Sequence, residues 1–287
     1  MRSGRWPRPA VVAAGLAGST AIGALAYRRG SLTRGGVAGA TLVGTTILAG
    51  GGALPAVLLL TFFVSSSALS GWRRERKGTA VVEGAKGARR DLAQVLANGG
   101  VPAAIVVAGR VRGRSPSLPA LIGALATVNA DTWATEIGML SRRPPRLVTT
   151  GRPVGPGTSG GVTPLGTGAA ALGAALIGVL ATVGLRFRFG GERPAPPGFT
   201  AVPLGVVAGL VGAFADSLLG ATVQARFRCP VCGVATEAAR HRCGASTVLT
   251  GGWRAVDNDA VNFASALCGA AAGALLARRF NRLEGGE

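Results

Sequence analysis

The sequence predicts an all-α protein, a polytopic transmembrane helix bundle of about eight spans, some of them broken or re-entrant. Three observations carry that prediction. Only 15% of the 287 residues are charged and 48% are hydrophobic, whereas a soluble domain carries about 25% charge. The mean hydropathy is +0.40, with apolar residues gathered into runs long enough to cross roughly 30 Å of hydrocarbon. The chain also holds 47 glycines, and small residues let spanning helices approach closely.

Taken in order, the first run, Ala10–Tyr27, follows Arg2, Arg5 and Arg8 as a signal peptide's core would. It has no clear cleavage site and another span follows at once, so it reads as a membrane helix. Gly35–Gly51 and Ala53–Ser70 are short and broken around Gly50-Gly51-Gly52, as one hairpin or a re-entrant pair. Leu92–Gly109, Leu118–Leu140, Val162–Leu185, Thr200–Thr222 and Ala260–Ala277 complete the eight. Residues 1–70 form an N-terminal group of helices. Residues 71–287 form the core, with basic and glycine-rich loops and a Cys/His loop at 226–256.

The net charge of +19 raises nucleic-acid binding first. The arginines, however, lie in short loops between apolar runs, as the positive-inside rule expects, so nucleic acid is not an expected partner. With eight spans, loops 28–34, 71–91, 141–158 and 223–256 share one side and hold 19 of the 31 Lys and Arg residues, leaving 12 opposite. That bias places a multi-pass protein in the cell membrane with its long basic loops cytoplasmic. Trp72, Trp133 and Trp253, at or near span ends, read as interfacial anchors, and Pro194–Pro197 as a linker on the other side.

The acidic residues point to chemistry. Of 12 Asp and Glu, five lie in or beside apolar spans: Asp131, Glu136, Asp216, Asp257 and Asp259. A carboxylate in hydrocarbon costs a few kcal/mol and rarely persists without a role. Asn129, Thr132 and Thr135 surround Asp131; Ser217 and Gln224 accompany Asp216; Asn258 and Asn262 accompany the last pair. Oxygen ligands of this kind suit Mg²⁺, which takes carboxylates, water and substrate phosphate; the alternative is that each acid pairs with an arginine or lies among headgroups. Ala130-Asp131-Thr132 and Ala215-Asp216-Ser217 also form a weak internal echo, as related halves sharing a midplane site would.

Two basic stretches offer phosphate sites. One carries Lys86, Arg89 and Arg90, followed by Gln94 and Asn98. The other runs from Thr149 through Arg152, Gly155, Gly157, Thr158, Ser159, Gly160 and Gly161 into a helix. Glycines before a helix N-terminus make an anion site; a flexible, topology-setting loop is the alternative. Gly155, Gly157 and Gly160 match G-x-G-x-x-G formally, but no strand precedes them, so the Rossmann reading fails, and no Walker A lysine motif exists. Cys229-x-x-Cys232 with His241-x-Cys243 gathers three of the four cysteines and the single histidine. Three thiolates and an imidazole complete a structural Zn²⁺ site; redox pairing or unliganded thiols are the alternatives.

Several ordered motifs carry a family resemblance over roughly residues 70 to 265. They are Gln94 to Pro102, Ala130 to Gly138, the Thr150–Gly161 loop, Asp216 to Ala221 and Asp257-Asn258-Asp259. The chain resembles the domain-of-unknown-function 92 family of integral membrane proteins, which includes plant phytyl-phosphate kinase and animal transmembrane protein 19. The resemblance implies phosphoryl transfer from a nucleoside triphosphate, CTP or ATP, to an isoprenyl monophosphate of phytyl type. Such a reaction needs charge neutralisation and in-line positioning, and an acceptor phosphate is already ionised, so no strong base is required. On that reading Asp131 and Asp216 hold Mg²⁺ with Asp257 or Asp259 assisting, and Glu136 joins the catalytic acids. Lys86, Arg89, Arg90, Arg152 and the Gly155–Gly161 backbone bind phosphates, and Asn98 orients one of them. The rival class is a transporter or lipid-translocating protein whose buried acids relay protons or cations. A scaffold recruiting partners through the Cys/His loop leaves the acids unexplained.

Overall fold

The computed structural model describes residues 7–72, 89–189 and 201–284. All eight expected spans are helices: α1 (Pro9–Arg28), α2 (Arg34–Thr46), α3 (Ala53–Gly71), α4 (Leu92–Val111), α5 (Leu118–Gly138), α6 (Pro164–Arg186), α7 (Val202–Thr222) and α8 (Asn258–Glu284). The break expected at Gly50 to Gly52 is a π-helical turn over Ile47–Gly51, closed by Gly52 at φ +95°, so the chain reverses between α2 and α3. Among the described residues, six helices are long and apolar enough to cross a membrane. The exceptions are instructive. The α2 helix has only 13 residues before its π turn, and α5 has 21 but carries Asn129, Asp131, Thr132 and Glu136.

That polar helix occupies the centre, packed by α3, α4, α6, α7 and α8. Ala120 to Ala130 are buried without interruption, on every face of the helix. An intramembrane acid is tolerable there because the surrounding helices, and not lipid, supply its neighbours. Lipid gives no hydrophobic drive between helices, so close approach must come from shape. Thr127 on α5 fits between Gly212 of α7 and Gly269 of α8; a Cβ on either glycine would collide with its side chain. The Thr127 hydroxyl donates to Gly123 O at 2.9 Å. Trp133 is a correction to the interfacial assignment: its Nε1 donates to Ser65 Oγ at 3.2 Å and its ring abuts Gly173 inside the bundle.

The connections at the C-terminal ends of α1, α3, α5 and α7 gather at one end. Leu32 bridges Arg90, Ser70 bonds Glu136, and Gly160 packs on Ala221. Two small sheets stiffen this end. Strand β1 (Arg146–Leu147) pairs antiparallel with β2 (Gly161–Val162), and β3 (Arg226–Arg228) lies between β4 (Ala235–Thr236) and β5 (Val248–Gly251). The Pro194–Pro197 linker lies outside the described residues.

Candidate functional site

A cleft of about 1440 Å³ opens at the end where these loops meet. Its floor is built by helices that enter in alternate directions. Asp131 is the fourteenth of 21 residues in α5 and Asp216 the fifteenth of 21 in α7, so the echoing triplets place both acids at matching depth. Their carboxyl groups come within hydrogen-bonding reach of each other. Two ionised carboxylates are acceptors only, so such an approach needs a proton or a cation between them. Asp216 Oδ2 is moreover buried with no hydrogen-bond partner among the described residues. A buried oxygen left this way is costly unless something positive reaches it. The Ser265 hydroxyl of α8 stands beside Asp216.

The helices running the other way contribute their N-terminal turns. Thr163 caps α6, accepting from Gly166 N at 3.0 Å, and Asp257 caps α8, accepting from Ala260 N at 2.9 Å. Thr163, Gly166, Asp257, Asn258 and Asp259 all line the cleft. The N-terminal turns of α6 and α8 thus face the same cleft as the acid pair, and a helix N-terminus is a place where an anion can be held. Among the described residues, the acids do not form a tight set of three or more metal-ligating groups; the Cys/His quartet alone does. Asp257 and Asp259 therefore stand off from the Asp131–Asp216 pair.

The glycine-rich loop forms one wall. Leu147 N donates to Arg152 O at 2.9 Å and Val148 N to Gly160 O at 2.9 Å, folding the segment back on itself. Gly160 adopts φ +79° and a Cβ there would lie 2.6 Å from Ala221 N, so only glycine lets the loop rest on the end of α7. The backbone is less open than its composition suggests: Thr158 N and Gly161 N already donate to Gly155 O and Thr158 O. Pro156 to Gly161 line the cleft, whereas Arg152 and Gly155 do not.

Several expected residues lie elsewhere. Asn98 donates to Gln94 O at 2.9 Å and faces an apolar cavity of about 300 Å³ between α1, α2, α3 and α4. Arg89 stacks over Tyr27 at 5.5 Å. Arg90 lies over Phe62 at 5.9 Å, where burial lowers its pKa against the pull of Glu136. Glu136 reaches the cleft wall but also accepts from Ser70. Lys86 lies outside the described residues.

Other residues enter that sequence reasoning missed. The cleft rim carries Arg142, Arg143, Arg226, Arg228, Arg240 and Arg242. Glu237, beyond β4, accepts from Ser159 Oγ at 2.8 Å and from Gln224 Nε2 at 2.8 Å, and faces Asp257 and Asp259. Burial holds its carboxyl above the ordinary range, with the Ser159 and Gln224 bonds opposing. A signal existed: Glu237 is the one acid in loop 223–256. The rim arginines are visible in the sequence as loop charge, which the positive-inside rule alone would account for.

Cys229, Cys232, His241 and Cys243 do come together, their ligand atoms all within 4.8 Å of one another.

Comparison with known proteins agrees with this architecture. A family model described as integral membrane protein DUF92 matches residues 17–270. Protein PGR of Arabidopsis thaliana is 35% identical over 265 residues, 87% of this chain and 90% of that protein. An uncharacterized membrane protein of Methanocaldococcus jannaschii is 33% identical over 189 residues, 66% of this chain and 73% of that one. No solved structure matches.

Proposed function

The chain belongs to the DUF92 family of integral membrane proteins, and from that premise we propose that it is a membrane-embedded kinase that passes the terminal phosphoryl group of a nucleoside triphosphate to an isoprenyl monophosphate. One observation carries this reading: the acidic cleft and the apolar cavity share a wall at Gln94. A molecule with a phosphate head and a hydrocarbon tail fits such a junction, head among Arg and carboxylates, tail among Ile22, Val43, Leu48, Leu60 and Phe63. The cleft volume exceeds the roughly 300–1,000 Å³ of a single small-ligand site, leaving room for a nucleotide beside the head.

The donor set fits a hard divalent cation, since the paired carboxyls and the orphaned Asp216 Oδ2 are all oxygen. Asp131 and Asp216 would hold Mg²⁺, which when bound supplies neutralisation of charge on the phosphates. The chain's own residues do the rest. Arg142, Arg143, Arg240 and Arg242 and the N-terminal turn of α6 hold phosphate oxygens in place. Asp257, Asp259 and Glu237 line the cleft beyond the pair, able to turn phosphates toward it by repulsion. The acceptor oxygen attacks the terminal phosphorus, the bond to the nucleoside diphosphate breaks, and the nucleoside diphosphate leaves with that bond's electrons. The rim of loops is assigned to the cytoplasm, where the nucleotide is.

Purified protein in lipid nanodiscs, given Mg²⁺, γ-labelled ATP or CTP and a panel of prenyl monophosphates, is expected to yield labelled diphosphate, and chelation to stop it. Cation-dependent uptake into proteoliposomes without nucleotide consumption would instead establish the transporter reading.

A further inference from the structure

We propose that Cys229, Cys232, His241 and Cys243 hold a structural zinc ion, and that this clip fixes Glu237 and the Ser159 loop at the mouth of the cleft. The inference stands whether or not the protein is a kinase.

The local sequence builds two knuckles. In the first, Cys229-Pro230-Val231-Cys232-Gly233 turns so that Cys232 N points at Cys229 Sγ at 3.4 Å, and Gly233 N donates to Cys229 O at 2.9 Å. In the second, Cys243 N points at His241 Nδ1 at 3.4 Å, and Gly244 N donates to His241 O at 2.9 Å. The two turns come from opposite ends of the loop. Strand β3 leads into the first knuckle, and β4 lies between the two, paired back onto β3. The knuckles face each other: Cys229 Sγ lies 3.5 Å from Cys243 Sγ, and His241 Nδ1 lies 3.1 Å from the same sulfur.

These spacings suit a tetrahedral ion. With Zn–S bonds of about 2.3 Å, ligand sulfurs stand roughly 3.8 Å apart. They do not suit a disulfide, which needs about 2.05 Å, and all four cysteines are free. A zinc ion with three thiolates and a neutral imidazole carries one net negative charge, and Arg228, Arg240 and Arg242 stand beside the ligands in sequence. All four positions are filled by protein, which marks a structural site and not a catalytic one. Without an ion the loop has little to hold it: its strands are two to four residues long, and Cys232 and Cys243 are exposed.

The clip reaches the cleft through Glu237, which lies between β4 and His241. Its carboxylate accepts from Ser159 of the glycine-rich loop and from Gln224 at the end of α7, and Gln224 Nε2 also donates to Ser159 Oγ at 3.1 Å. Gln224 is 2% exposed. This triangle ties three segments far apart in sequence, and the clip sets where its acidic corner stands.

The test uses the full-length protein purified in detergent without added metal. Elemental analysis is expected to find about one zinc per chain. C229S and C243S should lose it, and C268S should not, since Cys268 lies on α8 outside the group. Cobalt substitution should give thiolate-to-cobalt absorption in the wild-type chain; should C229S fail to accumulate, that spectrum decides. Removing zinc is expected to raise hydrogen exchange at residues 157–161 while leaving α5 unchanged. Protein isolated without zinc and with a Cys229–Cys232 disulfide would overturn the site. Unchanged exchange at 157–161 after zinc removal would overturn the positioning role.

Discussion

The helices before residue 112 and those after 117 solve different problems with similar composition. In α1, only 17% of the apolar window is buried, against 50% in α6. The first group presents Leu16, Leu25, Leu42 and Val64 outward, and its described acid, Asp91, boxes the start of α4 with Gln94. The second group encloses α5 and places Asp131, Asp216, Asp257, Asp259 and Glu237 around one cleft. The difference teaches that polar chemistry in a membrane is placed by shielding. The first group frames an apolar cavity, and α5, enclosed by its neighbours, can hold charge.

The comparison breaks most visibly at the acid pair. If the proposed reaction holds, Asp131→Asn or Asp216→Asn is expected to cut phosphoryl transfer by roughly 100-fold or more, because a proposed ligand of the ion is lost, with insertion and melting temperature near wild type. Activity assays beside thermal unfolding in detergent would check this; full activity in both variants would remove the metal assignment. Next comes the packing that shields the pair. Gly269→Val should cost about 3 kcal/mol by forcing Thr127 and α8 apart, read as a lowered unfolding temperature. The equivalent change at exposed Gly18, where a Cβ meets nothing, should do little.

The apolar side can be tested by filling it. Ala40→Phe, in the cavity wall, should raise KM for long-chain prenyl phosphates about tenfold, some 1.4 kcal/mol, and leave short-chain acceptors nearly unaffected. Equal effects on both would separate the cavity from the substrate tail. The smallest effect concerns Glu237. Its folded pKa is raised, so the folded state keeps a proton that the unfolded chain has released. That contribution is complete below the unfolded value and is lost as pH rises through the folded one. Without divalent cations, melting temperature should therefore fall as pH rises from about 4 toward neutrality, where carboxylates titrate, and Glu237→Gln should flatten the slope. A slope identical in that variant would assign the effect to other groups.

Most of the bundle was legible because hydropathy is local and cumulative, and each of eight apolar runs became a helix. Asp131 and Asp216 were legible one by one, as carboxylates inside apolar spans with echoing Ala-Asp-hydroxyl triplets, whereas their approach to each other depends on how α5 and α7 pack. Asn98 and Arg90 were harder. Composition marks them as polar, yet the rotation of α4 and the stacking on Phe62 decide which cavity they meet. Glu237 carries no hydropathy anomaly, being in a polar loop, and it reaches Ser159, 78 positions earlier in the chain, only because β3 pairs with β4. Trp133 was misplaced for the converse reason. It sits five residues from the end of its helix, where an anchor belongs, but the absent side chain of Gly173 opens a slot for it inside.

The central place of α5 bears on how the protein is made. A segment holding Asn129, Asp131 and Glu136 partitions poorly into lipid by itself. During synthesis it must wait at the translocon, or slip back, until α6 and α7 emerge and offer their glycine-lined surfaces. The polar centre of the bundle is then carried into the bilayer by its neighbours.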